Sequence, residues 1–207
     1  MTSDFTGRVS TVWRRSGELP PSLPQPSVDL LVFADGSLWL SGPETSSRTG
    51  TLPQPLTGMR LRPGTCADVL GIAADEVPLE GVRIPGSGLA DGLRALRAPA
   101  RAADQAVRQV IEGIRADPGA PMSSHVVGLS PRQLRRRFQV AVGLSPKAYA
   151  RVVRLHLAMA LARTGTPDWA EIAVRAGYYD QPHMLAEFRR AVGMSCVRFF
   201  QATAAGE

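Results

Sequence analysis

The sequence predicts an α+β protein, a small β-rich N-terminal domain (residues 1–90) followed by an all-α C-terminal domain (residues 91–207). Three observations predict it. Short apolar runs separated by Pro, Gly and polar turns fill the first part. Apolar positions at helical spacing fill the second, and that second part repeats itself at a fixed offset. A chain of 207 residues is long enough to bury two such cores.

The β-rich part reads element by element. A short strand over Val9–Trp13 precedes GELPPSLPQP, whose prolines prevent regular structure. VDLLVF and SLWLSG flank the turn residues Ala34-Asp35-Gly36, a strand–turn–strand pattern. After a polar loop from Pro43 to Pro55, LTGMRLR reads as a further strand that Pro63-Gly64 ends. CADVLG reads as a short helix stopped by Gly71, and GVRIP as a return to the sheet, for about four strands in all. Trp13 and Trp39 belong either to the core or to the wall of a pocket.

The composition changes within Gly86–Pro99, where the domain boundary is placed. Ala103, Val107, Val110, Ile111 and Ile114 then share one face of a helix over residues 100–116, which Asp117-Pro118-Gly119 ends. Further on, Gly-Leu-Ser-Pro begins at Gly128 and again at Gly143. The stretch from Leu134 through Phe138 to Gly143-Leu-Ser matches that from Met184 through Phe188 to Gly193-Met-Ser at an offset of 50. The preceding glycines, Gly128 and Gly177, stand 49 apart, so the second copy carries one extra residue in its turn. Each copy holds an apolar helical stretch, a glycine turn and a second helix ending in Phe: a helix-turn-helix unit, present twice. In the second copy Asp168 caps WAEIAVRA and Gly177 breaks it. Between the copies Ser145-Pro146 opens a long helix as N-cap and first residue. Eighteen residues from Pro146 to Arg163 span about 27 Å, against about 34 Å for one turn of B-DNA.

Charge divides the same way. Residues 1–120 hold 12 Arg and 13 acidic residues, whereas residues 121–207 hold 12 basic residues, of which only Lys147 is lysine, and 5 acidic ones. A basic half beside a near-neutral half points to a polyanionic partner for one domain only. In the first copy Leu134 and Phe138 form the buried side of a helix. Arg132, Arg135 and Arg136 lie together on another side, with Arg137 flanking them. Arginine there gives two parallel donors to guanine O6 and N7, or binds phosphate, and the helix N-terminus adds positive potential. A merely solvated basic helix is the competing reading, and the duplicated unit argues against it.

Residues 100–203, through GLSPRQLRRRFQVAVGLSPKAYARVVRLHLAMALA and WAEIAVRAGYYDQPHMLAEFRRAVGMS, resemble the DNA-binding domain of the AraC/XylS-type transcription regulators. The resemblance implies two helix-turn-helix units joined by a long helix, with both recognition helices in successive major grooves of double-stranded DNA. It also implies RNA polymerase as a partner. It places base contact on Arg132, Arg135 and Arg136 in the first unit. In the second it falls on Pro182, His183 and Ala186, with Gln181 adjacent, while Arg189 and Arg190 suit phosphate. Pro182 and Ala186 carry no side-chain donor, so the second helix is expected to read few bases. Two further departures stand out. The first helix of unit one, APMSSHVVG, reads as shortened, and Cys196 stands where the family has proline. The N-terminal part resembles, less specifically, a small domain attached to some of these regulators. Arg60, Arg62 and Pro63-Gly64 are the residues that carry this. A small-molecule effector, acidic if held by those arginines, and a homodimer are the partners this part allows, although structural ion pairs and a turn also explain the residues.

No cofactor, metal site or catalytic set is expected. His125, His156 and His183 lack ligand spacing, and two cysteines without a CxxC fit a reduced cytoplasm. No apolar run reaches membrane-spanning length, and MTSDFTGRVSTVWRRSG lacks the pattern of a secretory signal. A thiol hydrolase built on Cys66 would need a histidine and a pocket that RPGTCADVLG does not supply. The alternative to a regulator is a helix-turn-helix scaffold that contacts proteins and has weak or lost DNA binding.

Overall fold

The computed structural model describes residues 8–19, 21–97, 104–121 and 128–204. Five antiparallel strands form one sheet: β1 (Val9–Arg15), β2 (Asp29–Phe33), β3 (Ser37–Ser41), β4 (Leu56–Leu61) and β5 (Val82–Ser87), in the order β1-β4-β2-β3-β5. The sequence reading of about four strands falls one short. At the β2–β3 hairpin the Ser37 N–H donates to Asp35 Oδ1 at 2.8 Å, and this bond holds the Asp35 carboxyl down at about 2.

Alternation along the strands separates two faces. Leu30, Val32, Leu38, Leu40, Met59 and Leu61 are buried on one face. Helices α1 (Cys66–Leu70) and α2 (Gly88–Arg97) cover it. Helix α2 occupies the stretch in which the sequence places the domain boundary, and it packs on β2, β3, β5 and α1. Gly86, Gly88 and Gly92 disguise it as a linker. Gly92 lies on the sheet, where a Cβ would make ordinary contact with Met59 and Val32, at 3.4 and 3.5 Å. On the opposite face the Trp13 ring lies on Gly58, where any side chain would collide with it. Trp39 meets Phe33 edge-on at 6.3 Å. Both tryptophans are half-buried, outside the main apolar cluster. Arg60 forms a paired contact with Asp29, at 3.0 and 2.9 Å. Cys66 is 2 % exposed, and burial, helped by the Asp68 charge, pushes its thiol up to about 12. A thiolate nucleophile is therefore not available there near neutral pH.

The helical half comprises α3 (Gln105–Ala116), α4 (Pro131–Val142), α5 (Pro146–Ala162), α6 (Trp169–Arg175), α7 (Gln181–Val192) and α8 (Cys196–Ala204). Helix α3 starts at an Asp104 cap that accepts from the N–H groups of Ala106 and Val107. The expected start at residue 100 and the shortened helix expected in APMSSHVVG fall on residues 100–103 and 122–127, outside the described residues. Two cores share α5. Tyr149 and Ala150 belong to the first with α3 and α4, and Leu155, Ala158, Met159 and Ala162 to the second with α6, α7 and α8. Cys196 opens α8 and is buried in that second core.

The sheet module is seated on both units. A 3₁₀ turn at Ala74–Glu76 packs on α4, where Pro43 and the Ala74 carbonyl crowd Gly143. The Ser47 N–H donates to the Ala191 carbonyl at the end of α7, at 2.7 Å. His156 Nε2 on α5 lies 2.9 Å from the Pro24 carbonyl.

Candidate nucleic-acid interface

The offset of 50 read from the sequence is reproduced by the helices themselves: α4 and α7 span 131–142 and 181–192, and α5 and α8 begin at 146 and 196. Ser130 Oγ accepts from the Gln133 N–H while Gln133 Oε1 accepts from the Ser130 N–H, a capping box at the start of α4. Asp180 Oδ1 caps α7 in the same way, accepting from the His183 N–H at 2.8 Å. Each helix stops at a glycine with positive φ, +80° at Gly143 and +79° at Gly193. Leu134, Phe138 and Val142 are buried in one copy and Met184, Phe188 and Val192 in the other.

Burying that side of α4 presents the opposite one. Arg132, Arg135 and Arg136 are exposed and lie at i, i+3 and i+4, so their guanidiniums share a face. Among the described residues none of the three has a carboxylate partner. Arg137 differs, because its Nε donates to Asp104 Oδ2 at 2.6 Å and ties α4 to the cap of α3. Burial opposes ionisation of Asp104. The Arg137 guanidinium and the N–H groups of Val107 and Ala106 outweigh it and hold the carboxyl below its usual range.

At the same offset the arginine face corresponds in α7 to Pro182, Leu185 and Ala186. Gln181 is half-buried and His183 exposed, both in the first turn. His183 Nδ1 accepts from the Tyr179 N–H at 3.4 Å, with its ring edge-on to Tyr178. That assigns the proton of the neutral ring to Nε2. Arg189 and Arg190 are exposed in the last turn, without an ion-pair partner among the described residues. The structure thus brings Arg132, Arg135 and Arg136 together on one helix. Gln181 and His183 sit at the start of the other helix, and Arg189 and Arg190 at its end.

Two features that orient the second unit escape a reading of the sequence. Glu187 is 5 % exposed. Its carboxylate accepts from Arg151 Nε at 2.8 Å and from Arg154 Nη2 at 3.2 and 3.1 Å, while Arg154 Nη1 also donates to the Pro118 carbonyl. This cluster fixes α7 against α5. Beside it the turn after α3 meets the turn of the second unit: a Cβ on Gly177 would stand 2.6 Å from the Gly119 backbone. The signal for Glu187 is its place opposite Arg137 in the repeat, a charge reversal at a position that otherwise aligns with packing residues.

A family model described as a helix-turn-helix domain matches residues 124–202. No curated protein matches the chain. A probable AraC family transcriptional regulator from Rhodopseudomonas palustris is 29% identical over 47% of this chain and 96% of its own, with a TM-score of 0.41. ToxT from Vibrio cholerae O395 is 9% identical over 95% of this chain and 98% of its own, at a TM-score of 0.51. The same protein bound to (E)-4-(8-methylnaphthalen-1-yl)but-3-enoic acid gives 10%, 93%, 97% and 0.50. The likeness to ToxT is one of fold, an N-terminal antiparallel sheet followed by a helical region.

Proposed function

We infer the mode of action from one premise: residues 124–202 belong to the AraC-type helix-turn-helix family, so the chain is a DNA-binding transcription regulator. It binds double-stranded DNA by sequence, with α4 in one major groove and α7 in the next. Helix α5 holds the two apart. Its 17 residues span about 25 Å, the same order as the roughly 34 Å between successive major grooves. The observation that carries this reading is the arginine face of α4: three exposed guanidiniums without carboxylate partners among the described residues, on a helix whose other side is locked into a core. Helix α4 reads bases through Arg132, Arg135 and Arg136. Helix α7 reads little, with Gln181 and the Nε2–H of His183 as its donors, and holds phosphate through Arg189 and Arg190.

Arg135→Ala and Arg136→Ala should each lose about 1–3 kcal/mol at the best site and relax preference at one or two base pairs. Arg189→Ala and Arg190→Ala should weaken binding evenly across sequences and lower the salt slope by about one. Selection of binding sites from random DNA with each variant checks both. Specificity that survives in the Arg135 and Arg136 variants but disappears on changing His183 or Gln181 would place the reading helix in the wrong unit.

Base reading belongs to residues 91–207, and effector sensing or self-association to residues 1–90. Contact with RNA polymerase, on the same resemblance, and homodimer formation through residues 1–90 complete this reading. Residues 100–207 alone should fold as a helical unit and keep affinity for a site that the full chain binds. Circular dichroism and a gel shift test this, and a folded fragment with no affinity refutes the division.

A further inference from the structure

Between the sheet module and the helical half lies a cleft of about 470 Å³, a size that suits a small ligand. From the sheet side it is lined by Thr11, Arg60 and Arg62, and from the helical side by Arg115, Tyr149 and His156. Serine hydroxyls and one amide complete the polar lining, and among the described residues no carboxylate lines it. Arg60 is neutralised by Asp29, but Arg115, exposed at the end of α3, has no ion-pair partner among the described residues. The Tyr149 hydroxyl stays protonated, since burial pushes it up to about 12, and so serves as a donor. The unpaired Arg115 guanidinium beside the Tyr149, Thr11 and serine hydroxyls favours an anion.

We propose that this cleft binds a small oxyanion, a phosphate compound or a polycarboxylate, which bridges β4 to α3 and α5. The proposal rests on the reading of the N-terminal module as the sensing part and names the chemistry it senses. The bridge has a route to the DNA-binding surface. The same module touches the end of α4 through Pro43 and Ala74, and the end of α7 through Ser47. A ligand that fixes the module on α5 therefore fixes what both recognition helices rest against.

Calorimetric titration of the full chain without DNA tests the site, with inorganic phosphate and citrate as separate probes. At least one should bind saturably at one site per chain, and which one does so identifies the source of the charge. Arg115→Gln should weaken that binding ten-fold or more. Thr11→Glu, which sets a carboxylate on an exposed strand position of the wall, should abolish it. Arg163→Gln removes the same charge outside the cleft and should leave binding unchanged. The proposal is overturned if neither probe saturates, if Arg163→Gln weakens binding as much as Arg115→Gln, or if laurate binds in their place. A gel shift of the ligand-free chain reports separately on DNA binding, so failure of one reading does not look like failure of the other.

Discussion

Glu187→Ala destabilises the chain by about 3 kcal/mol, the low end of the range for breaking a buried ion pair. Two guanidiniums lose their carboxylate at once. Arg154 keeps the Pro118 carbonyl and the face of the Tyr178 ring, with 16% of its side chain exposed, whereas Arg151 is 33% exposed and recovers more hydration. A drop of roughly 6–12 °C in melting temperature is the expected readout for a domain of this size. Glu187→Met combined with Arg154→Met should restore much of the loss, because an apolar cluster of similar volume carries no desolvation cost. DNA affinity separates the two roles. If the double variant regains stability but not affinity, the polar cluster serves to orient α7. If Glu187→Ala melts like the parent chain, the cluster is not buried in solution.

Gly177→Ala costs about 2–5 kcal/mol, from two sources that add. Its φ of +83° costs an L-residue about 1–2 kcal/mol, and the new methyl meets the Gly119 backbone at 2.6 Å, an overpacking of about 1–3 kcal/mol. Gly193 supplies the control inside the same molecule. It has φ +79° and, among the described residues, nothing within 4 Å of the place a methyl group would take, so Gly193→Ala should show the conformational cost alone, about 1–2 kcal/mol. Denaturant melts of the two variants measure the difference. Equal losses would mean that the turn after α3 does not press on the second unit.

The parts of this molecule that the sequence discloses are those specified locally. The capped starts at Ser130, Ser145 and Asp168, the glycine stops and the Phe138/Phe188 register all depend on neighbours within a few residues. The arginine face of α4 is legible for the same reason, as a matter of helical spacing. Helix α2 is not, because the glycines at 86, 88 and 92 look like those of a linker and its place on the sheet is set by distant strands. Apolar spacing alone does not mark the Asp104 cap of α3, a polar residue outside the buried face. Long-range pairings leave little trace. His156 meets Pro24, and Ser47 meets Ala191, across separations no local pattern encodes. Arg137 illustrates the gap: by spacing it flanks the arginine face, and in the fold it is an anchor. A buried Glu187 runs against the usual preference of charged residues for the surface.

Position 137 of the first copy and position 187 of the second are equivalents in the duplication, and they carry opposite charges. Each finds a complementary seat: Arg137 on Asp104, Glu187 between Arg151 and Arg154. The apolar faces of α4 and α7 are similar, both built round a central phenylalanine, so during folding each helix could be mistaken for the other. Exchanging them would press Arg137 onto two arginines and Glu187 onto an aspartate, with like charges partly removed from water. The duplicated halves are thus labelled for their own docking sites. A chain with two nearly interchangeable pieces is exposed to misassembly as it collapses, and one reversed charge sorts them.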